Sequence, residues 1–265
     1  MSKYILGCFL ILIGYGNTIS AQILNADLYG SKVDSTHRFR ALFDLGFNIQ
    51  KQTSIIYSLN TRVDLSYYYK QSLFVLIGNF KLFRSGSTNI LNGGFAHSRV
   101  RFKKEHWIHP ELFAQYQLDG VRGMEQRILG GSNLRFIIKE YTKGHLHFGI
   151  GGMYELERWS YNGVSSSIPI PDRTPIITHY IKLNSYLSYT QKIKEIAHLQ
   201  VTAYFQTRPD RFFIFPRLAL NGNLIFHFGK HIHFTIRYNL FYDALPTVPI
   251  DHLYFSFINK LTFTF

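Results

Sequence analysis

The sequence predicts an all-β fold: a transmembrane antiparallel outer-membrane β-barrel of about twelve strands, with both termini in the periplasm. Three observations lead to this prediction. Apolar and polar residues alternate along segments of about ten residues or more, the length a tilted strand needs to cross a bilayer. Aromatic residues make up 17% of the chain. An apolar segment with the features of an export signal stands at the N-terminus.

The first 21 residues predict export through a cleaved signal peptide. Lys3 gives a basic start, an apolar run extends from Ile5 to Ile13, and Ala21 marks the expected cleavage site. The run is too short to be a membrane anchor, because a spanning helix needs ~20 apolar residues. Cys8 lies inside the run, whereas a lipid-modified cysteine should follow it, so a lipoprotein is not expected either.

The predicted organisation is a signal peptide at 1–21, a short periplasmic segment at 22–37 and a single β-barrel domain at 38–265. Export and a lipid-facing barrel together predict the outer membrane of a Gram-negative bacterium. Removal of the signal peptide removes the only cysteine, Cys8. The mature chain therefore cannot form a disulfide or a thiolate metal site, and no cofactor is expected.

The net charge is strongly basic and bears on the choice of partner. The chain has 29 Lys and Arg against 16 Asp and Glu, and loss of Lys3 leaves 28 − 16, a formal charge of +12. Such a balance is typical of proteins that bind nucleic acid or an anionic surface, and export argues against nucleic acid. The expected partners are outer-membrane lipids, lipopolysaccharide and the barrel-assembly machinery, and the oligomeric state is left open.

The alternation is clearest in the segment 108–119. Leu112 and Tyr116 fall on one face of the predicted strand, and Glu111 and Gln115 fall on the other, because successive side chains of a strand point to opposite sides. In a barrel the apolar set faces lipid and the polar set faces the lumen. Over the whole chain, the charged and polar residues predicted to face the lumen are Arg62, Asp64, Glu111, Gln115, Asp119, Arg127, Arg135, Glu155, Glu157, Arg217 and Arg237.

A soluble β-sandwich is the main alternative fold. Its strands would be nearer ~5–6 residues long, and its outward face would be polar. It would also have to bury the charged set inside its core, at a heavy desolvation cost. The lumen of a barrel can hold these charges, so the barrel is favoured.

The connections between the predicted strands differ on the two sides. The short ones, inferred to be periplasmic, fall at 69–71, 103–106, 140–144, 191–195 and 229–231. The long ones fall at 160–175, 208–211 and 244–249. Short periplasmic turns and longer outer loops are typical of outer-membrane barrels.

The C-terminal residues predict an assembly signal. Leu261, Phe263 and Phe265 share one face of the last strand, and Phe265 is the final residue. This pattern looks like the C-terminal β-signal by which barrel-assembly machinery recognises its clients.

A resemblance to a known family covers roughly two hairpins within 107–157. The residues that carry it are the run Pro110 to Gln117, the Asp119…Arg122 hairpin and the run Arg127 to Arg135. This stretch resembles a family of putative salt-induced outer-membrane proteins, a β-barrel family of unknown function. The resemblance implies an outer-membrane location and a role in envelope stress, without an established activity.

The candidate chemistry leaves two functions open. No catalytic residues are proposed, because His97 and Ser98 are adjacent and point to opposite faces, and His179 with Ser185 resembles no phospholipase motif. The pairs His145/His147 and His231/His233 are interpreted as interfacial rather than as metal sites. The favoured function is a non-enzymatic barrel with a narrow or plugged, charge-paired pore and an envelope-integrity or small-solute role. The alternative is a lipid- or envelope-modifying enzyme of phospholipase type.

Overall fold

The computed structural model describes residues 37–51, 53–86, 88–103, 106–211, 214–229 and 231–263. The predicted signal peptide at 1–21, most of the predicted segment at 22–37, and Phe265 of the predicted assembly signal lie outside the described residues. Within the described residues, none of the helices is long and apolar enough to cross a membrane.

The protein is all-β, with twelve antiparallel strands in one sheet, as predicted. The strands are β1 (Phe39–Lys51), β2 (Ile55–Tyr69), β3 (Ser72–Ser85), β4 (Thr88–Arg101), β5 (Ile108–Asp119), β6 (Met124–Tyr141), β7 (Gly144–Trp159), β8 (Ile176–Ile193), β9 (Ala197–Thr207), β10 (Arg217–Phe228), β11 (Ile232–Asp243) and β12 (Leu253–Phe263). Two single-turn 3₁₀ helices, Tyr161–Gly163 and Pro209–Arg211, lie in the connections.

Each strand pairs with its neighbours in chain order, so the barrel wall is a continuous series of hairpins. Within the described residues, no hydrogen-bonded ladder joins β12 back to β1. The sheet is nevertheless strongly curled. The guanidinium of Arg122, between β5 and β6, lies 4.9 Å from the ring centroids of Phe241 on β11 and Tyr254 on β12. These strands are far apart in the sheet, so their inner faces meet across the lumen.

The two faces of the wall have the polarity expected in a membrane. On β5, Leu112 is 52% exposed and Tyr116 39% exposed, whereas the alternating Glu111 and Gln115 are buried at 1% and 6%. A soluble sheet places apolar side chains inside and polar ones outside. The reversed arrangement suits a wall with lipid outside and a polar lumen inside.

The two ends of the barrel wall have different connections. One end, here the turn end, carries the connections at 70–71, 102–107, 142–143, 194–196 and 229–231. At 70–71, Lys70 and Gln71 have positive φ of 43° and 63°, which matches a two-residue type I′ turn suited to the right-handed twist of paired strands. The opposite end, here the loop end, carries the three longest connections, at 160–175, 208–216 and 244–252.

The loops at 160–175 and 244–252 pack together over the loop end. Val164 and Val248 join Met124 and Trp159 in one buried apolar cluster. The turn between β5 and β6 contacts the start of the 160–175 loop at Gly123, which has φ +84°. The Gly123 carbonyl accepts a 2.8 Å hydrogen bond from the Ser160 amide. Because β12 lies far from β5 and β6 in the sheet, this cluster ties together loops from opposite sides of the mouth.

Candidate functional site in the charged lumen

The lumen holds a nearly balanced set of buried charges. Among the described residues, the buried cations are Arg99, Arg101, Arg122, Arg127, Arg135, Lys182 and Arg217, and the buried carboxylates are Asp64, Glu111, Asp119, Glu155, Glu157 and Asp243. A buried charge is tolerated only when it is paired and hydrogen-bonded. The seven cations and six carboxylates therefore have to be arranged as ion pairs.

Six of these residues form a connected group, here the central ion cluster: Arg127, Glu155, Glu157, Lys182, Arg217 and Asp243. Arg127 donates from Nε to Oε2 of Glu155 at 2.8 Å and lies 3.2 Å from Oε1 of Glu157. Lys182 on β8 donates to Glu155 as well. Glu155 therefore has cationic partners on the strands at both sides of its own.

Arg217 extends the central ion cluster across the lumen. Its Nε donates to Oδ2 of Asp243, directly opposite on β11, at 2.9 Å. Its Nη1 donates to Oε1 of Glu157 on β7 at 2.7 Å and lies 3.2 Å from Oε2 of Glu155. Strands β8 and β9 separate β7 from β10 in the sheet, so this contact crosses the interior rather than following the wall.

A second group surrounds Glu111. Arg101, directly opposite on β4, donates from Nε to Oε1 at 2.8 Å. Arg99 and Arg135 approach the same carboxylate at 3.7 and 3.9 Å. Tyr186 on β8 donates a hydrogen bond from its hydroxyl to Oε2 of Glu111 at 2.7 Å. Strands β6 and β7 lie between β8 and β5 in the sheet. Three guanidinium groups therefore share one buried carboxylate.

The position of Tyr186 depends on a glycine. Gly149 lies opposite Tyr186 in the β7–β8 register, and a Cβ at Gly149 would overlap the phenol ring. The missing side chain leaves room for the ring against β7, where its hydroxyl reaches Glu111. A glycine in a strand interior often marks a close approach of this kind.

Most of the predicted lumen-facing residues are buried inside the barrel. They are Asp64, Glu111, Gln115, Asp119, Arg127, Arg135, Glu155, Glu157 and Arg217. Arg62 pairs with Asp64 at 2.6 Å but keeps a 43% exposed side chain. Arg237 lies in register with Ile258 of β12 and is exposed. Both lie near the β1 and β12 edges, where fewer side chains oppose them.

The structure also adds residues that the sequence did not single out as site residues. Arg101 and Arg99 complete the group around Glu111, and Lys182 and Asp243 complete the central ion cluster. The alternation on β4 already placed both arginines on the polar face, so that signal was available. Arg122 pairs with Asp119 at 2.9 Å within their turn, a contact that the turn sequence does not specify.

Of the histidines considered as metal ligands, His145, His147 and His233 contact other histidines. Within the described residues, histidine, cysteine and acidic side chains are not grouped in threes that could hold a metal ion. His233 approaches His227 on the neighbouring strand, with 2.8 Å between their Nδ1 atoms. His145 and His147 lie edge to face, with ring centroids 4.6 Å apart.

The structure does not bring together the serines and histidines considered for catalysis. His97 is buried, with Nδ1 3.0 Å from Oε1 of Gln115, while Ser98 is exposed on the opposite face. His179 and Ser185 share the outward face of β8 but are six residues apart, about 20 Å along a strand at 3.3 Å per residue. A nucleophile and its base must lie within hydrogen-bonding reach, so neither pair has that geometry.

A cavity of about 340 Å³ lies between the central ion cluster and the loop end. We call it the vestibule. Its floor includes Glu157, Lys182 and Arg217, and its rim includes Arg208 and Arg211 of the β9–β10 connection. The vestibule therefore leads inward from the loop end and stops at the central ion cluster.

Comparisons with known proteins give one structural similarity. No family model and no curated protein matches the chain. A solved structure of the NanC porin in a rhombohedral crystal form is similar over 84% of this chain and 100% of its own, with 11% sequence identity and a TM-score of 0.43.

Proposed function

We propose that this protein is a non-enzymatic outer-membrane β-barrel whose lumen is closed, or nearly closed, by the central ion cluster. The observation that carries the proposal is the contact of Arg217 on β10 with Glu155 and Glu157 on β7. A guanidinium that reaches carboxylates across the interior occupies the space through which a solute would pass. The role would be envelope integrity, with passage restricted to small solutes.

The burial of the central ion cluster supports a closed lumen rather than an open channel. Open channels of 16–18 strands keep an aqueous lumen, whereas barrels of about eight strands are filled by side chains. Twelve strands lie between these limits, so strand number alone does not decide. Here Arg127, Glu155 and Glu157 are each at most 3% exposed, as in a filled interior. The Val164–Val248 cluster adds a second restriction at the loop end.

We infer that the turn end faces the periplasm and the loop end faces the exterior. The short connections of the turn end and the long connections of the loop end support this orientation. It also leaves both termini of the strand series, Phe39 and Phe263, at the turn end. We further propose that the chain is exported through its signal peptide and inserted by the barrel-assembly machinery, with lipid and lipopolysaccharide around it.

The exposed outer face supports this membrane environment. Leu261 and Phe263 of the predicted assembly signal are 54% and 56% exposed, on the same outward face as the other apolar residues. The resemblance of 107–157 to salt-induced outer-membrane proteins supports a role in envelope stress. Expression under high salt would test that role.

Planar-bilayer conductance tests closure of the lumen. The variant Arg217→Ser/Asp243→Ser removes one cation and one anion, so it widens the interior without changing the net charge. We expect low conductance for the parent and a larger conductance for the double variant. Leu218→Val on the outward face of β10 is the matched control. A parent that already conducts like a water-filled pore, with no change in the double variant, would overturn the proposal.

The same preparations can be tested for phospholipid hydrolysis. We expect hydrolysis no faster than that of empty vesicles. Turnover that depends on His179 or Ser185 would favour the enzyme alternative over a closed barrel.

A further inference from the structure

The rim of the vestibule carries an ion triplet in which one carboxylate lies between two arginines. Arg208 donates to Asp210 through Nε at 3.0 Å and through Nη2 at 2.6 Å. Arg211 approaches the same carboxylate more loosely, with Nε 3.8 Å from Oδ2. The triplet carries a net charge of +1. A bidentate guanidinium–carboxylate contact is the geometry with which arginine recognises carboxylate ligands.

Each arginine of the triplet is held over an aromatic ring that lines the vestibule. The guanidinium of Arg208 lies 4.1 Å from the ring centroid of Tyr180, and that of Arg211 lies 5.4 Å from that of Phe215. A guanidinium within about 6 Å of a ring centroid is attracted to the ring, and its N–H groups can still donate to another partner. The rings therefore favour these positions of the two cations before any ligand arrives.

Asp210 itself is exposed to solvent in this arrangement. Its side chain is 56% exposed, and exposed ion pairs are easily replaced because solvent already screens them. The hydrogen bond from the Arg208 side chain holds the pKa of Asp210 below its usual range, so the carboxylate is charged at neutral pH. It is a carboxylate of the chain itself, standing between two arginines at the rim of a cavity.

The vestibule behind the triplet has the size and lining of a small-molecule site. Its volume of about 340 Å³ falls within the range of ~300–1,000 Å³ typical of ligand pockets. The residues that line it include the aromatic Tyr180, the polar Thr178 and Thr207, and the apolar Leu245 and Pro246. The deeper cations, Lys182 and Arg217, are already neutralised by the central ion cluster. The excess positive charge therefore lies at the rim.

We propose that the vestibule binds small organic carboxylates. The ligand's carboxylate takes the place of Asp210 against Arg208 and Arg211, and its carbon skeleton lies in the cavity beside Tyr180. Asp210 acts as an internal competitor that occupies the two arginines when no ligand is present. The exposed loop end then captures carboxylates from the medium, whether or not they pass the central ion cluster.

The test compares benzoate with its neutral isostere benzamide on the purified barrel in lipid nanodiscs, by ligand-observed NMR titration. We expect benzoate to bind more tightly than benzamide to the parent. Asp210→Asn should tighten benzoate binding by up to about fivefold, the equivalent of the ~1 kcal/mol upper end for an exposed pair. Arg211→Gln should weaken benzoate binding, and neither change should affect benzamide.

Arg158→Gln is the matched control. Arg158 forms an exposed ion pair with Glu125, at 2.8 Å, near the same end of the barrel but outside the vestibule. Its removal changes the net charge as Arg211→Gln does, without touching the rim, and should leave benzoate binding unchanged. Equal binding of benzoate and benzamide, or equal loss in Arg158→Gln and Arg211→Gln, would overturn the proposal. Binding is read without conductance, so failure here is distinct from failure of the closed-lumen proposal.

Discussion

Arg217 on β10 donates a 2.7 Å hydrogen bond from Nη1 to Oε1 of Glu157 on β7, across two intervening strands. The same guanidinium holds Asp243 beside it on the wall. One side chain thus ties the neighbouring strand and the opposite side of the lumen into a single ion-paired group. Because the residues are buried, each depends on the others for its charge to be tolerated.

Arg217→Met should therefore be strongly destabilising. It leaves Glu157 and Asp243 without their shared cation, and breaking a buried ion pair costs about 3–5 kcal/mol. Arg158→Met removes an exposed pair at 2.8 Å from Glu125, where the loss should be roughly 0–1 kcal/mol. Both losses of stability are measured by denaturant unfolding, with the heat-modifiable shift in gel mobility as the readout of the folded barrel. Similar losses in the two variants would show that the lumen is solvated.

Glu111→Ala should lower the unfolding temperature and admit small anions more readily. Glu111 is a carboxylate that Arg99, Arg101 and Arg135 share, so its loss leaves an excess of positive charge inside. Leu112→Val, on the lipid face one residue away, should change neither property. Thermal unfolding and anion conductance are compared with the parent. A Glu111→Ala variant that behaves like the parent would mean that Glu111 faces bulk water.

Gly149→Ala should also destabilise the barrel. Its Cβ would overlap the ring of Tyr186, and overpacking of this kind typically costs about 1–3 kcal/mol. The displaced ring would lose its 2.7 Å hydrogen bond to Glu111. Gly152→Ala is the control on the same strand, because its Cβ would meet the Lys182 carbonyl oxygen at an ordinary 4.0 Å. Unfolding temperatures that shift equally in both variants would contradict the proposed role of Gly149.

The two ends should differ in accessibility on intact cells. A protease site inserted between Ser165 and Ser167, which are exposed at the loop end, should be cleaved from outside. The same site inserted at Lys192–Lys194, next to a turn of the opposite end, should be protected until the outer membrane is opened. Cleavage in the reverse pattern would invert the proposed orientation.

Phe265→Asp should prevent assembly. Leu261 and Phe263 are apolar and exposed, and an aspartate at position 265 would add a charge to the proposed assembly signal. The expected result is loss of heat-modifiable protein from the outer membrane and degradation in the periplasm. Normal outer-membrane levels of the folded variant would count against that signal.

The sequence predicted the location of the charges better than their partners. The alternation places Glu111 and Arg135 on the inner faces of neighbouring strands, and Arg135 does approach Glu111, at 3.9 Å. The nearest cationic partner of Glu111 is Arg101 on β4, at 2.8 Å and directly opposite in register. The glycine-rich first half of β4 obscured that register in the sequence. Glu155 and Glu157, which the alternation places inward, contact Arg127 and Arg217 respectively.

The sequence by itself predicted about twelve strands and, where the alternation is clear, the face on which the side chains lie, because strand alternation has a fixed period of two residues. Glu155 and Arg217 face inward for that reason alone. Only the tertiary structure decided that they meet. Their contact depends on the curvature of the sheet and the distance across the lumen, which no local pattern encodes. The same holds for Val164 and Val248, whose loops pack together because the folded wall brings opposite sides of one mouth within reach.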